Sequence, residues 1–279
     1  MPWTFTSDLA AYLAAAGPAL AAEPVTNTAL LTAIDALERR GTDAFGEAAP
    51  LFGWWTGADA VVAGTLLSTP PHPLLVGALP VEAVRELGTA LATEPLLAGI
   101  DALNTRRADA PALAAAWGKP TEVAVEERLY RLAGLLAPDP APSGRARRAG
   151  EDDLPLLFDW VTAFKQEAEV GGSASESALR DRLSYGGMLL WEDEGAPVSL
   201  AGFFRPVGGM ARIGPVYTPP ALRGRGYAAG AAYAATGAAQ AAGAREVLLF
   251  TDLANPTSNG VYQRLGYTPV EDRVELVTT

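Results

Sequence analysis

Residues 216–229 read VYTPPALRGRGYAA. A β-branched and aromatic run ends at Tyr217, two prolines stop it, and an alanine-rich stretch opens at Gly226. Strand, glycine loop and helix in that order leave the first amides of a helix unpaired at the mouth of a strand. Those amides and the positive end of the helix dipole form an anion site. Glycine lets a diphosphate approach the backbone closely. Arg223 and Arg225 would add charge, although both also suit a solvated loop.

Working outward, the segment sits in an alternation of helix-like and strand-like runs. Upstream, Leu156, Leu157, Trp160, Val161 and Phe164 fall at helical spacing within 152–169, and Gly171-Gly172 reads as the stop. Ser173 to Glu176 has the form of a capping box opening a second helix through Leu183. Strand runs follow at 188–191, 198–204 and 211–217, separated by turn residues. Downstream come a helix over 226–242, a strand at 246–251, a helix over 256–265 and strands at 267–270 and 273–277. Three strands joined by short turns predict antiparallel pairing, and the helical crossovers predict parallel neighbours. The expectation is an α/β (α+β mixed) fold, a mostly antiparallel sheet with helices on both faces.

The stretch 138–149, PDPAPSGRARRA, has linker composition and predicts a domain boundary. Before it, helices are expected at 7–22 and 26–40, strands at 51–55, 61–68 and 73–79, a helix at 81–92, a strand at 96–103, a helix at 108–117 and a strand at 123–132. This is the element order of the second half without its residue identities, so an internal duplication is expected. The expected domains are 1–137 and 150–279.

Composition narrows the chemistry. The chain has 279 residues, no cysteine and one histidine. Disulfides, thiolate nucleophiles and cysteine-bound metals are excluded, and His72, within TPPHP, reads as a turn residue. No metal site is expected. A net charge of −11 argues against nucleic-acid binding and favours a cationic substrate such as an amine. No apolar run reaches membrane-spanning length. The N-terminal segment lacks a basic region and reads as the start of a helix, which predicts a cytoplasmic protein. Heavy use of alanine, glycine and arginine hints at a GC-rich bacterial genome.

Two ligands compete for the loop. Gly224-x-Gly226-x-x-Ala229 matches the dinucleotide fingerprint in form, but two prolines separate it from its strand and only one further βαβ unit follows. The better match is Arg223-x-x-Gly226-x-Ala228, which resembles the Q/R-x-x-G-x-G/A motif of the GNAT superfamily of acetyltransferases. Residues 255–267, NPTSNGVYQRLGY, are similar to that family's asparagine and tyrosine segment. The resemblance covers about 150–279 and implies acetyl-coenzyme A as acyl donor.

Carried over by position, it implies that backbone groups at Val216, Tyr217 and Thr218 pair with the pantetheine arm. Arg223, Gly224, Arg225, Gly226, Tyr227 and Ala228 would hold the diphosphate, Asn255 and Asn259 would contact the cofactor, and Tyr262 would protonate the departing thiolate. Asn255 before Pro256 is also a good helix cap in its own right. The strand before the loop carries no carboxylate. Glu192, Glu167 or a water chain is then the proton acceptor, and Trp160, Phe164, Trp191, Phe204 and Tyr217 are candidates to line a substrate pocket. After the third strand of the first half there is no such motif, and Glu82 would repel a phosphate. That half reads as a degenerate repeat, as in tandem members of the family. The implied function is N-acetylation of a small-molecule primary amine by a monomer or homodimer.

Overall fold

The computed structural model describes residues 2–168 and 174–279. The stop at Gly171-Gly172 and the cap at Ser173 fall outside the described residues. Two compact units emerge: unit 1 is 1–128 with 271–279, and unit 2 is 129–270. These bounds cut the chain elsewhere than the expected 1–137 and 150–279. Part of the expected linker is itself a strand, Arg145–Arg148, which pairs with the next strand of unit 2.

Unit 1 begins with a strand, β1 (Trp3–Thr6), where a helix start was expected. Trp3 and Phe5 stack at 6.1 Å and β1 pairs antiparallel with β2, an apolar burial that overrides the helical reading. Helix α1 (Leu9–Ala22) starts where Asp8 accepts from the amides of Ala10 and Ala11. Then follow α2 (Thr28–Arg40), β2 (Leu51–Thr56), β3 (Val62–Ser68), β4 (Leu74–Val76) and α3 (Val81–Thr93). Pro95–Leu97 forms a 3-10 turn and the strand β5 starts later, at Ala102–Arg106, correcting the expected strand at 96–103. Leu97 still enters the core, which explains the strand-like pattern. The helix α4 (Ala110–Trp117) and the strand β6 (Thr121–Leu132) complete the series.

Unit 2 takes the end of β6 and then β7 (Arg145–Arg148), α5 (Leu154–Glu167), α6 (Glu176–Ser184), β8 (Met188–Asp193), β9 (Ala196–Phe203), β10 (Met210–Tyr217), α7 (Tyr227–Ala241), β11 (Glu246–Asp252) and α8 (Pro256–Arg264). Ser175 caps α6, accepting from Ala178 N at 3.3 Å. A single strand β12 (Tyr267–Thr278) replaces the two expected after 266; it starts in unit 2 and ends in unit 1.

The element order strand, helix, helix, three strands, helix, strand, helix, strand is common to both units. Strand order is β1-β2-β3-β4-β5-β12-β6 in unit 1, and β12-β6-β11-β10-β9-β8-β7 in unit 2. Pairing is parallel for β4 with β5 and β10 with β11, the two helical crossovers, and antiparallel within the runs β1-β2-β3-β4 and β7-β8-β9-β10 and for β5 with β12. The sheet of unit 2 carries α7 on one face, over Phe203, Ile213 and Val247, and α5 on the other, over Met188, Leu190 and Leu200. Helix α7 is built of alanine and glycine on its buried side, which lets its backbone approach the sheet. A Cβ on Gly230 would stand 2.9 Å from the Trp191 ring and from Pro142.

Candidate functional site

The parallel strands β10 and β11 pair only over Met210–Arg212 and Glu246–Leu248, although each runs on for several residues. Beyond that point β10 changes register against β9 between Ile213 and Val216, at Gly214-Pro215. Proline has no N–H to give a ladder and a bulge redirects its strand. The two strands therefore separate at their C-terminal ends. Val216 and Tyr217 remain paired to β9 on one side. Their other edge has no strand partner among the described residues and presents backbone donors and acceptors to a cleft.

The loop leaving β10 ends at this opening. Gly224 and Gly226 adopt φ of +78° and +79°, the left-handed region that side chains with a Cβ enter at a cost. The second glycine is the N-cap of α7 and has no side chain to cap it. The first hydrogen bond returned to this turn comes from Gly230 N to Gly226 O, at 3.1 Å. The amides of Tyr227 and Ala228 therefore point out at the positive end of a 15-residue helix. A turn of this form suits an anion, and its left-handed backbone favours glycine at both positions.

The charged side chains are more tied than the sequence suggested. Arg223 donates from Nε to Thr218 O at 2.9 Å and from its terminus to Glu167 Oε2. Glu167 also accepts from Tyr217 Oη at 2.9 Å. The Arg223 guanidinium holds the Glu167 carboxyl below its ordinary range, the reverse of what a proton acceptor near neutrality needs. Glu192 is bound by Arg147 Nε at 2.6 Å, and Arg147 grips Asp153 with its two other nitrogens. Asp193, unremarked in the sequence, alternates onto the α7 side and accepts from the Tyr227 hydroxyl, with Arg225 close enough to favour its charge. Strand alternation beside Glu192 was the signal that could have found it.

Asn255 caps α8, accepting from Ser258 N at 3.0 Å. Asn259 is committed to structure: its amide donates to Asp252 O and Asn255 O, each at 2.8 Å, and its carbonyl accepts from Tyr130 Oη at 3.0 Å. Tyr262 is half-buried, its ring edge-on to Tyr267 at 6.0 Å. Burial pushes its phenol up to about 12. The aromatic residues expected to line one pocket divide between faces: Trp160 and Phe164 project from α5 into the cluster that holds Tyr217, whereas Trp191 packs under α7. Phe204 is covered by Arg182 at 3.9 Å and Arg212 at 4.4 Å. No cluster able to hold a metal ion occurs among the described residues, and no helix among them is long and apolar enough to cross a membrane.

Comparison with known proteins agrees with this geometry. Residues 154–267 match the model of the acetyltransferase (GNAT) family. Solved structures share the fold of the whole chain. A GNAT-family acetyltransferase from Colwellia psychrerythraea has a TM-score of 0.65 at 12% identity, covering 100% of this chain and 99% of that one. A Drosophila protein has a TM-score of 0.67 at 13% identity over 100% and 98%. A GCN5-related N-acetyltransferase from Sphaerobacter thermophilus has 0.62 at 17% identity over 99% and 95%. No curated protein matches the sequence.

Proposed function

We propose that unit 2 transfers an acetyl group from acetyl-coenzyme A to the primary amine of a small molecule, by direct attack in a ternary complex. The observation that carries this reading is the parting of β10 from β11 beside a glycine-rich helix start. The free edge of β10 suits an extended amide-bearing arm, and the amides of the α7 first turn suit its diphosphate. The thioester supplies the activated acyl group.

The chain's own groups then have separable tasks. Backbone N–H groups at the β10 edge bind the donor and orient its carbonyl. The Tyr262 hydroxyl, kept protonated by burial, is suited to deliver a proton to the sulfur. Glu167 and Glu192 are each engaged by an arginine, so a water chain takes the amine proton. Unit 1 has no counterpart of the loop. Its helix α3 is capped by Pro80 without a side-chain bond and bears Glu82 in its first turn, where a carboxylate opposes a second anion. We regard unit 1 as a repeat of the fold without the donor site.

The test is calorimetric titration of the protein with acetyl-coenzyme A, and separately with NADH, in wild type and Arg223→Ala. Binding of acetyl-coenzyme A alone, weakened about three- to tenfold in the variant, is expected for loss of one charge-assisted contact. Binding of NADH alone, or of neither, removes the reading.

A further inference from the structure

Unit 1 contains a cavity of about 210 Å³ between the α1–α2 turn, the start of β3 and Ala78 just beyond β4. Its walls are mainly alanine methyl groups, with three polar side chains: Glu23, Asn27 and Thr65. Asn27 and Thr65 are only 5% and 3% exposed. Asn27 Oδ1 has no hydrogen-bond partner among the described residues, and Nδ2 reaches Leu20 O only at 3.5 Å. A buried carbonyl without a donor is costly and is retained where something supplies one.

The geometry gathers acceptors at one point. A Cβ built on Gly77 would lie 2.8 Å from Asn27 Oδ1 and 2.7 Å from Thr65 Oγ1, so only glycine leaves room for both oxygens. Unit 2 has a hydroxyl at the corresponding strand position. There Ser199, the fourth residue of β9 as Thr65 is of β3, bonds Tyr217 O and Thr218 Oγ1 at the end of β10. The cavity lies beside the end of β4, as the Ser199–Thr218 hydroxyl pair lies beside the end of β10. It differs in chemistry: no cationic side chain lines it, and Glu23 brings a carboxylate to the wall.

We propose that unit 1 binds a small aliphatic primary ammonium ion in this cavity. Asn27 Oδ1 and Thr65 Oγ1 accept its N–H donors, Glu23 supplies the opposing charge, and the alanine walls take a short hydrocarbon tail. The site is independent of the acetyl-transfer reading of unit 2 and needs no acyl donor.

The experiment is NMR titration of the full ¹⁵N-labelled chain with n-propylammonium chloride, following the Asn27 side-chain amide and the backbone signals of Thr65 and Ala78. Saturating shifts at these groups are expected. Glu23→Gln, at an exposed position, should keep the fold and weaken the affinity about three- to tenfold. Asn27→Leu should abolish the shifts of Thr65 and Ala78, with circular dichroism reporting its fold. Tetramethylammonium, which has the charge but no N–H, should leave these signals in place. Shifts confined to unit 2 would report the acceptor cleft alone and overturn the proposal. Equal response to tetramethylammonium, or unchanged affinity in Glu23→Gln, would do the same.

Discussion

Glu167, the last residue of α5, binds the Arg223 guanidinium while accepting a hydrogen bond from Tyr217 Oη at 2.9 Å. One carboxylate therefore joins the helix before the cleft, the last residue of β10 and the loop that leads to α7. A carboxylate on this arginine occupies the donors that a phosphate would use, since both anions match the same guanidinium fork.

The pair is exposed, so its strength is modest. Glu167→Gln is expected to tighten acetyl-coenzyme A about two- to fivefold at low salt, and this gain should vanish in an Arg223→Ala background. Calorimetry on the four proteins of the cycle measures the coupling. A gain that survives in Arg223→Ala would mean only general charge repulsion. The pH sense follows from the depressed carboxyl: the pair is fully present above the ordinary glutamate range and is lost as pH falls through the lower folded value.

Tyr262→Phe tests the proposed proton donor. The phenol, raised to about 12, stays protonated throughout the range in which the protein is assayed. No alkaline decline in rate below about pH 10 is then expected from this group. The variant should lower kcat roughly 10²- to 10⁴-fold, the usual range for general acid catalysis, with little change in the KM for acetyl-coenzyme A. A kcat equal to wild type would assign Tyr262 to packing against Tyr267.

The loop and its flanking elements were readable because glycine, proline and helical periodicity act locally. Gly226 capping α7, Asn255 capping α8 and the three strands before the loop follow from neighbours a few residues away. What the sequence did not show depends on distant partners. Trp3 is in a strand because Trp55 pairs with it and Ala83 O takes its indole N–H, and Arg145–Arg148 are a strand because β8 lies beside them. Glu167 and Glu192 looked available until Arg223 and Arg147, 56 and 45 residues away in sequence, were seen to hold them. Asn259 resembled a cofactor ligand, yet Tyr130, 129 residues distant, takes its carbonyl. A charge's partner is set by tertiary structure, and no periodicity reports it.

Asp153→Asn probes the junction that holds Glu192. Arg147 meets Asp153 with two nitrogens at 2.6 and 2.7 Å, and Gly150 N donates to the same carboxylate at 2.8 Å. Hydrogen bonds from Arg147 hold the Asp153 carboxyl below its unfolded value of 3.8. Its contribution to stability is therefore present above about pH 4 and lost as pH falls through the folded value. The variant should lose about 1–2 kcal/mol at pH 7 and much less at pH 2.5, read from urea unfolding. Equal losses at both pH values would show that packing, not the charge, matters there.

Gly88→Ala tests close helix packing in unit 1. A Cβ on Gly88 of α3 would stand 2.3 Å from the Ala116 Cβ of α4, a clash that no rotamer relieves. Alanine is otherwise the better helix former by about 1 kcal/mol. Separation of α3 from α4 should outweigh that gain, for a net loss of about 1–3 kcal/mol. An unchanged or raised Tm would mean that the helices part freely.

Arg273 anchors β12 in unit 1. It is 2% exposed and donates to Val76 O at 2.6 Å, Asn104 Oδ1 at 2.7 Å and Glu271 at 2.9 Å. These bonds connect the end of the chain to β4 and β5, strands that precede it by more than 160 residues. Replacing the arginine with alanine removes a guanidinium and leaves a buried carbonyl and a carboxylate without their donor. Arg273→Ala should therefore cost about 3–5 kcal/mol, the usual penalty for breaking a buried charged contact. Hydrogen exchange locates the loss: amides of β5 and of β12 after Glu271 should exchange faster, whereas those of β8 and β9 in unit 2 should keep their protection until global unfolding. Uniform acceleration across both units would show that they unfold as one, and no acceleration in β5 would mean that the strand is held by its ladder alone.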